Sequence, residues 1–374
     1  MRNFTIAVFG SYSGRNKGDL AILLSVIENL VKENQNLKIH VFSKQPENLL
    51  KTFPGHFLPY VIVHKSITAY LGLKTVGILK STDLLIFGGG GLFFDKKPLN
   101  IFYNHVTNLF LLTLINKVVL KKPVYIFSVG ASHIKSKVLL WMTKFILDNA
   151  QYVTVRDERT FQIFSALTHK KITLHYDPAF LLINDKSKRV GFPNLLKSDH
   201  PNERLLFVVN ESIIKHHLRT MGTFGLVDLI NALQEEYHVV LTSNNQACQP
   251  VNQLYDQCIQ LRLTLFDPND LTPQELIAFY RHFNFAICTP MHAAIFAYNA
   301  GVKLVTIEYD EKIPELNKII GNKNSVSMDS LESLPDILVH YQEIDRSRQA
   351  DIDRIVRENF RKLNQAIIAS KEQQ

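Results

Sequence analysis

The chain has 374 residues, 46% of them hydrophobic and 20% charged, with a formal net charge of +8 and a sequence pI of about 9.2. That is the composition of a globular chain with a large core, long enough for about two domains. The basic balance favours anionic partners. However, the lysines and arginines are scattered, with no basic run interleaved with aromatics and no zinc-finger spacing, so nucleic acid is set aside.

The N-terminal run Phe4 to Phe9 is too short for a signal peptide and leads into a glycine loop, so Thr5–Gly10 reads as the first strand. The amphipathic stretch Leu20–Lys32 is a predicted helix. Lys38–Ser43 and Leu84–Phe87 follow as strands. Ile101 to Leu120 is a long apolar run, but Asn104, His105, Asn108, Asn116 and Lys117 interrupt it. It reads as a buried helix, not a membrane span. Val124–Val129 is a strand, Val138–Asn149 a helix, Tyr152–Val155 a strand and Thr160–Leu167 a helix. Short apolar strands alternating with helices imply βαβ units and parallel sheets.

Residues 185–203 are polar and basic, carry Pro193 and Pro201, and read as a linker between domains 1–184 and 204–374. The alternation then restarts. Leu205–Val209 is a strand, Gly225–Glu235 a helix, Val239–Thr242 a strand and Val251–Leu261 a helix. Thr272–Arg281 opens with an N-cap Thr, a Pro and a Glu at capping-box spacing. Phe285–Cys288, Met291–Ala300 and Lys303–Ile307 read as strand, helix and strand, and a charged helix ends the chain from Ile344. Cys248, Cys258 and Cys288 form no CxxC pair and suit a reducing cytoplasm.

Open α/β sheets bind ligands at the carboxyl ends of their strands. That rule singles out the following segments. Asn16, Gly18 and Asp19 lie where the first strand gives way to the first helix. Either Asp19 merely caps that helix, or the loop faces a ligand. Gly88, Gly89, Gly90 and Gly91 follow a buried strand, as an anion nest or a tight packing contact. Arg156 stands at a strand end, able to grip a carboxylate or phosphate, with Asp157 as helix cap or partner. Asp177 precedes Pro178, as general base or turn former, and His133 follows a strand through Gly130. His292 sits at a helix entrance, with Tyr309 and Lys312 just beyond the next strand. No HExxH or convergent His and Asp spacing points to a metal.

Together these segments resemble the polysaccharide pyruvyl transferase family, in order and over nearly the whole chain. The matching stretches are Asn16 to Ile22, Gly88 to Leu92, Arg156-Asp157 with Thr160, Asp177 to Phe180, and Met291 to Val302 followed by Tyr309 and Lys312. The resemblance implies two Rossmann-like domains facing across a cleft, as in GT-B glycosyltransferases. The N-terminal domain would take the acceptor and the C-terminal domain the donor. It implies phosphoenolpyruvate as co-substrate, no other cofactor, and an acceptor glycan or lipid-linked saccharide. A pyruvate ketal would form by transfer at a cytoplasmic site, and the basic balance would suit a membrane-bound acceptor and peripheral association at the inner face of the membrane. Within that reading His292 is the general acid and Asp177 the second catalytic group. Arg156, Lys312, Tyr309 and His133 bind donor. Two positions depart from the family pattern: Pro290 stands two residues before His292 where Arg is usual, and Asn210 to Ser212 lack an expected Arg. A nucleotide-sugar glycosyltransferase and a non-catalytic glycan-binding or partner-binding member therefore stay open on the same fold.

Overall fold

The computed structural model describes residues 4–34, 36–65, 73–95, 104–182, 203–211, 213–214, 225–244 and 249–372. Contacts divide the chain into two units. The first takes in Met1–Gly14, Asp19–Leu181 and Asp353–Gln374, and the second Arg15–Gly18 and Leu182–Ile352. The expected linker 185–203 lies, apart from Glu203, outside the described residues.

The first unit is built on seven parallel strands: β1 (Phe4–Phe9), β2 (Leu37–Ser43), β3 (Val61–Lys65), β4 (Leu84–Phe93), β5 (Val124–Ala131), β6 (Tyr152–Val155) and β7 (Thr173–Leu174). They lie in the order β3-β2-β1-β4-β5-β6-β7. Helices cover the faces, so the central strands are continuous apolar runs, and β5 is buried at every position. The apolar stretch near 101–120 is shorter than expected. Its helix begins at His105, where the Asn104 side chain accepts from Val106 N at 3.0 Å, and it gives way to a π-helical turn, Leu114–Val119. Residues 101–103 lie outside the described set.

The second unit has six parallel strands: β8 (Arg204–Val209), β9 (His238–Ser243), β10 (Leu263–Phe266), β11 (Phe285–Cys288), β12 (Lys303–Glu308) and β13 (Ser325–Ser327). Their order is β10-β9-β8-β11-β12-β13. Each sheet reverses its strand order once, at β1/β4 in the first and at β8/β11 in the second. These reversals are the switch points where such sheets hold ligands.

The last helix, Arg348–Glu372, was expected in the C-terminal domain; from Asp353 onward it belongs to the first unit. Its buried Asn359 donates to Ser128 Oγ at 2.8 Å and accepts from Tyr152 Oη at 2.8 Å. Ser128 has a positive φ of 49°, at a register shift between β5 and β6, and the Asn359 bonds satisfy that irregular point. The Phe127 and Phe360 rings lie 4.9 Å apart, tilted to each other, which adds apolar burial to the same docking. Among the described residues no helix is long and apolar enough to cross a membrane.

Candidate active site

In the first unit the glycine run is not a loop after a strand: Gly88 to Gly91 lie inside β4 and keep pairing with β5 through Gly91. Gly89 and Gly90 take φ of 55° and 79°, which an L side chain resists. A Cβ on Gly89 would also lie 1.9 Å from Ile22 Cγ2 on the helix Lys17–Glu33. Gly89 thus serves close helix packing. Gly90 meets only Asp19 Oδ1, at 3.0 Å from a built Cβ, and Gly91 faces open space. The buried Tyr12, on the loop after β1, donates its hydroxyl to the Gly88 carbonyl. Burial raises its pKa, and the charges of Asp19 and Asp177 raise it further, so this phenol stays protonated.

Arg156 and Asp177, expected as donor ligand and catalytic acid or base, bind each other instead. Arg156 Nη1 donates to Asp177 Oδ2 at 2.6 Å, and both side chains are buried. Gly130 leaves the room: a Cβ there would lie 2.9 Å from Arg156 Nε. Burial alone would lower the Arg156 pKa, but the charges of Asp177, then Asp157, more than offset it and the pKa is raised. Asp177 Oδ1 also accepts from Ala179 N at 2.9 Å, opening the short helix Pro178–Leu181. Asp157 caps Glu158–Ser165 by accepting from Thr160 N at 2.8 Å. Asp19, Tyr12, Arg156 and Asp177 therefore form one electrostatic cluster at the β1/β4 switch point. His133 is exposed on the loop after β5.

In the second unit, β11 ends at Thr289, whose N–H and hydroxyl both donate to Val208 O, at 3.0 and 3.1 Å. That clamp sets Pro290 as the extended residue before the helix Met291–Ala300 and places His292 in its first turn. The imidazole lies against Gly18: a Cβ on Gly18 would sit 2.1 Å from His292 Nδ1. Two residues from opposite ends of the recognised pattern are thus in contact, and the glycine is required by the ring. Asn16, not Asp19, caps the first helix: its Oδ1 accepts from Gly18 N at 2.8 Å.

Lys17, unremarked in the sequence, anchors this segment. Its backbone N–H donates to Asn244 O at 3.1 Å. Its buried Nζ donates to Asn269 O at 2.7 Å and Leu271 O at 2.8 Å. Burial pulls its pKa down to about 8, partly offset by the charges of Asp270, Asp267 and Glu275. The only local hint of this role was a Lys beside a motif glycine.

Tyr309 and Lys312 stand just past β12. The Tyr309 hydroxyl is hydrogen-bonded to the Asn210 side chain. Asn210 directly follows β8 and Tyr309 directly follows β12, and β11 lies between those strands, so this bond bridges the end of β11. Burial pushes Tyr309 up to about 12, Asp310 adds to that, and the bond to Asn210 opposes it. The hydroxyl is a hydrogen-bond donor at neutral pH. Lys312 Nζ lies 3.5 Å from Asp310 Oδ2, with both side chains about a third exposed. Such a partly exposed pair contributes little to stability. His292, Tyr309, Lys312 and Asn210 thus gather at the β8/β11/β12 end of the second sheet. Among the described residues no group of three or more His, Cys, Asp or Glu side chains is placed to hold a metal ion.

A family model described as polysaccharide pyruvyl transferase matches residues 16–311 of this chain. A search of curated proteins returned no match. Solved structures share the fold at low identity. A putative UDP-N-acetylglucosamine 2-epimerase from Listeria monocytogenes aligns with a TM-score of 0.63 at 11% identity, over 100% of this chain and 98% of that one. The UDP-GlcNAc 2-epimerase from Neisseria meningitidis bound to UDP-GlcNAc gives 0.63 at 11%, over 98% and 99%. A trehalose-6-phosphate synthase gives 0.59 at 12%, over 99% of each chain. The α/β class with two Rossmann-like units of GT-B type is that of these structures.

Proposed function

The chain belongs to the polysaccharide pyruvyl transferase family, and we propose that it moves a pyruvyl group from phosphoenolpyruvate to a sugar of a cell-surface polysaccharide or its precursor. The product is a pyruvate ketal, and inorganic phosphate is released. The observation that carries this reading is the seating of His292 on Gly18, two residues of the family pattern that the fold brings into contact.

The chemistry needs a proton, an anion grip and a hydroxyl activator. His292 delivers a proton to C3 of the enol, which leaves C2 cation-like. A sugar hydroxyl attacks C2 and gives up its proton. Phosphate then leaves C2, and a second hydroxyl closes the ketal. Of the two hydroxyl protons, one restores His292 and the other departs with phosphate. Lys312 is the cation for the donor's phosphate or carboxylate, and the protonated Tyr309 hydroxyl donates to the same anion. Asp19, beside Gly90, places a negative charge at the β1/β4 switch point, which suits a neutral ligand there better than an anion. Asp177 holds Arg156 and is assigned a positioning role.

Pro290 stands where the family pattern carries an arginine and Val208 to Ser212 bear no second one, which puts the donor in question and leaves a second reading, a nucleotide-sugar transferase, and a third, a non-catalytic member that Pro290 favours. The Neisseria enzyme of like fold, bound to UDP-GlcNAc, is the nearest support for the second. Phosphate release separates the first two. With phosphoenolpyruvate and a glycan acceptor, the proposal expects phosphate in step with ketal formation, lost in His292→Gln. Turnover of UDP-sugars alone would overturn it, and full activity of His292→Ala in cells would point to a non-catalytic member.

A further inference from the structure

The helix Lys137–Asn149 exposes an unusual face. Lys137, Val138, Trp141 and Lys144 are its exposed side chains, at spacings that place them on one side. Trp141 is 57% exposed and Val138 46% exposed. Trp141 is also the chain's only tryptophan. Its ring lies 5.4 Å from Phe110 and 6.2 Å from Phe145, so the apolar surface runs onto the neighbouring helix His105–Thr113. Exposed apolar side chains that adjoin one another, unlike singly scattered ones, can mark an interaction surface.

The charge around this surface is one-sided. Lys135, Lys137 and Lys144 stand on or beside this face, and the acid on the same helix is Asp148. Lys135 and Lys137 are exposed and precede Trp141, and Lys144 follows it, in a weak surface pair with Asp148 at 2.9 Å. Position matters as well. The helix starts at Ser136, whose N–H donates to Asp95 Oδ2 at 3.3 Å just beyond β4, and Ser132 N donates to Phe93 O at 2.9 Å. The surface therefore lies by the carboxyl ends of β4 and β5, the same end of the sheet as Tyr12, Gly90 and Asp19.

We infer that Lys135, Lys137, Val138, Trp141 and Phe110 form a docking surface for an anionic phospholipid bilayer. Trp141 and Val138 enter the headgroup boundary, and the lysines meet the lipid charge. Docked this way, the first unit presents its strand ends toward a membrane-borne acceptor. The inference stands whichever donor the second unit takes.

Trp141 is its own probe. The full chain is mixed with vesicles of phosphatidylcholine alone or with phosphatidylglycerol added. The expected result is a blue shift of Trp141 emission and quenching by brominated lipid, with phosphatidylglycerol only, reversed by high salt. Lys135→Gln with Lys137→Gln lowers vesicle partition roughly 30-fold, at about 1 kcal/mol per lysine, and leaves phosphoenolpyruvate binding in solution unchanged. An unshifted Trp141 spectrum with anionic vesicles overturns the inference. So does a sedimentation profile in which a second copy covers Trp141 without lipid. If the double variant fails to fold, the wild-type spectra alone still decide.

Discussion

At the β1/β4 end of the first sheet the charged groups are engaged with one another: Arg156 is buried against Asp177 and Asp157, and Tyr12 is bonded to backbone. At the β8/β11 end of the second sheet Lys312 shares a loose pair with Asp310, both about a third exposed, and Tyr309 is bonded to the neutral Asn210. The contrast separates charges buried in a structural pair from a charge left partly exposed. A buried ion pair stripped of one partner leaves an uncompensated charge and costs stability, whereas a half-exposed lysine can be lost with little structural effect.

Substitutions can break this contrast or sharpen it. The largest effect is expected from His292→Gln, with kcat lower by about 10²–10⁴-fold and an unchanged unfolding midpoint. Gly18→Val, which displaces the same ring, should lower kcat comparably. Arg156→Met should cost about 3–5 kcal/mol of stability by urea unfolding, while Lys312→Met stays within about 0.5 kcal/mol yet raises the donor KM. The contrast fails if Arg156→Met folds normally and loses only donor affinity. Gly89→Ala should cost about 1–3 kcal/mol from overpacking against Ile22, whereas Gly91→Ala should be nearly neutral in stability. A loss of acceptor binding in Gly91→Ala would assign the open part of that run to the ligand.

A further effect is one of pH. Lys17 titrates at about 8 in the fold, below the value of about 10.4 for an unfolded lysine. Between those values the unfolded chain binds more protons, so stability from this group rises with pH. The stability of wild type minus that of Lys17→Met should grow by roughly 1–3 kcal/mol across that window. A flat difference would mean that Lys17 is not held in a dry site.

Local chemistry made much of the fold legible. Phe285–Cys288 and Met291–Ala300 fall at their expected bounds because an apolar run, a proline and a C-capping Gly301 mark them on both sides. The capping box at Thr272 and Glu275 is present. Weakly patterned elements escaped: β10 is mostly half-buried, β13 is three residues long, and the edge strand β3 exposes Ile62. The glycine run looked like a loop because strand pairing of glycines leaves no side-chain pattern. The placement of His292, Tyr309 and Lys312 at adjacent strand ends was legible because sequence order alone sets it. The Arg156–Asp177 pair, 21 residues apart, and the Lys17 bonds to Asn269 and Leu271, some 250 residues away, depend on tertiary closure that no local pattern encodes.

The central claim is that the second unit holds an anionic three-carbon donor on Lys312 and Tyr309 despite Pro290. Calorimetric titration of the intact chain with phosphoenolpyruvate tests it most directly. The account predicts saturable binding, weakened about tenfold or more in Lys312→Ala, as expected for loss of a charge-assisted hydrogen bond. Absence of binding to the wild-type chain, with saturable binding of a UDP-sugar under the same conditions, would contradict it.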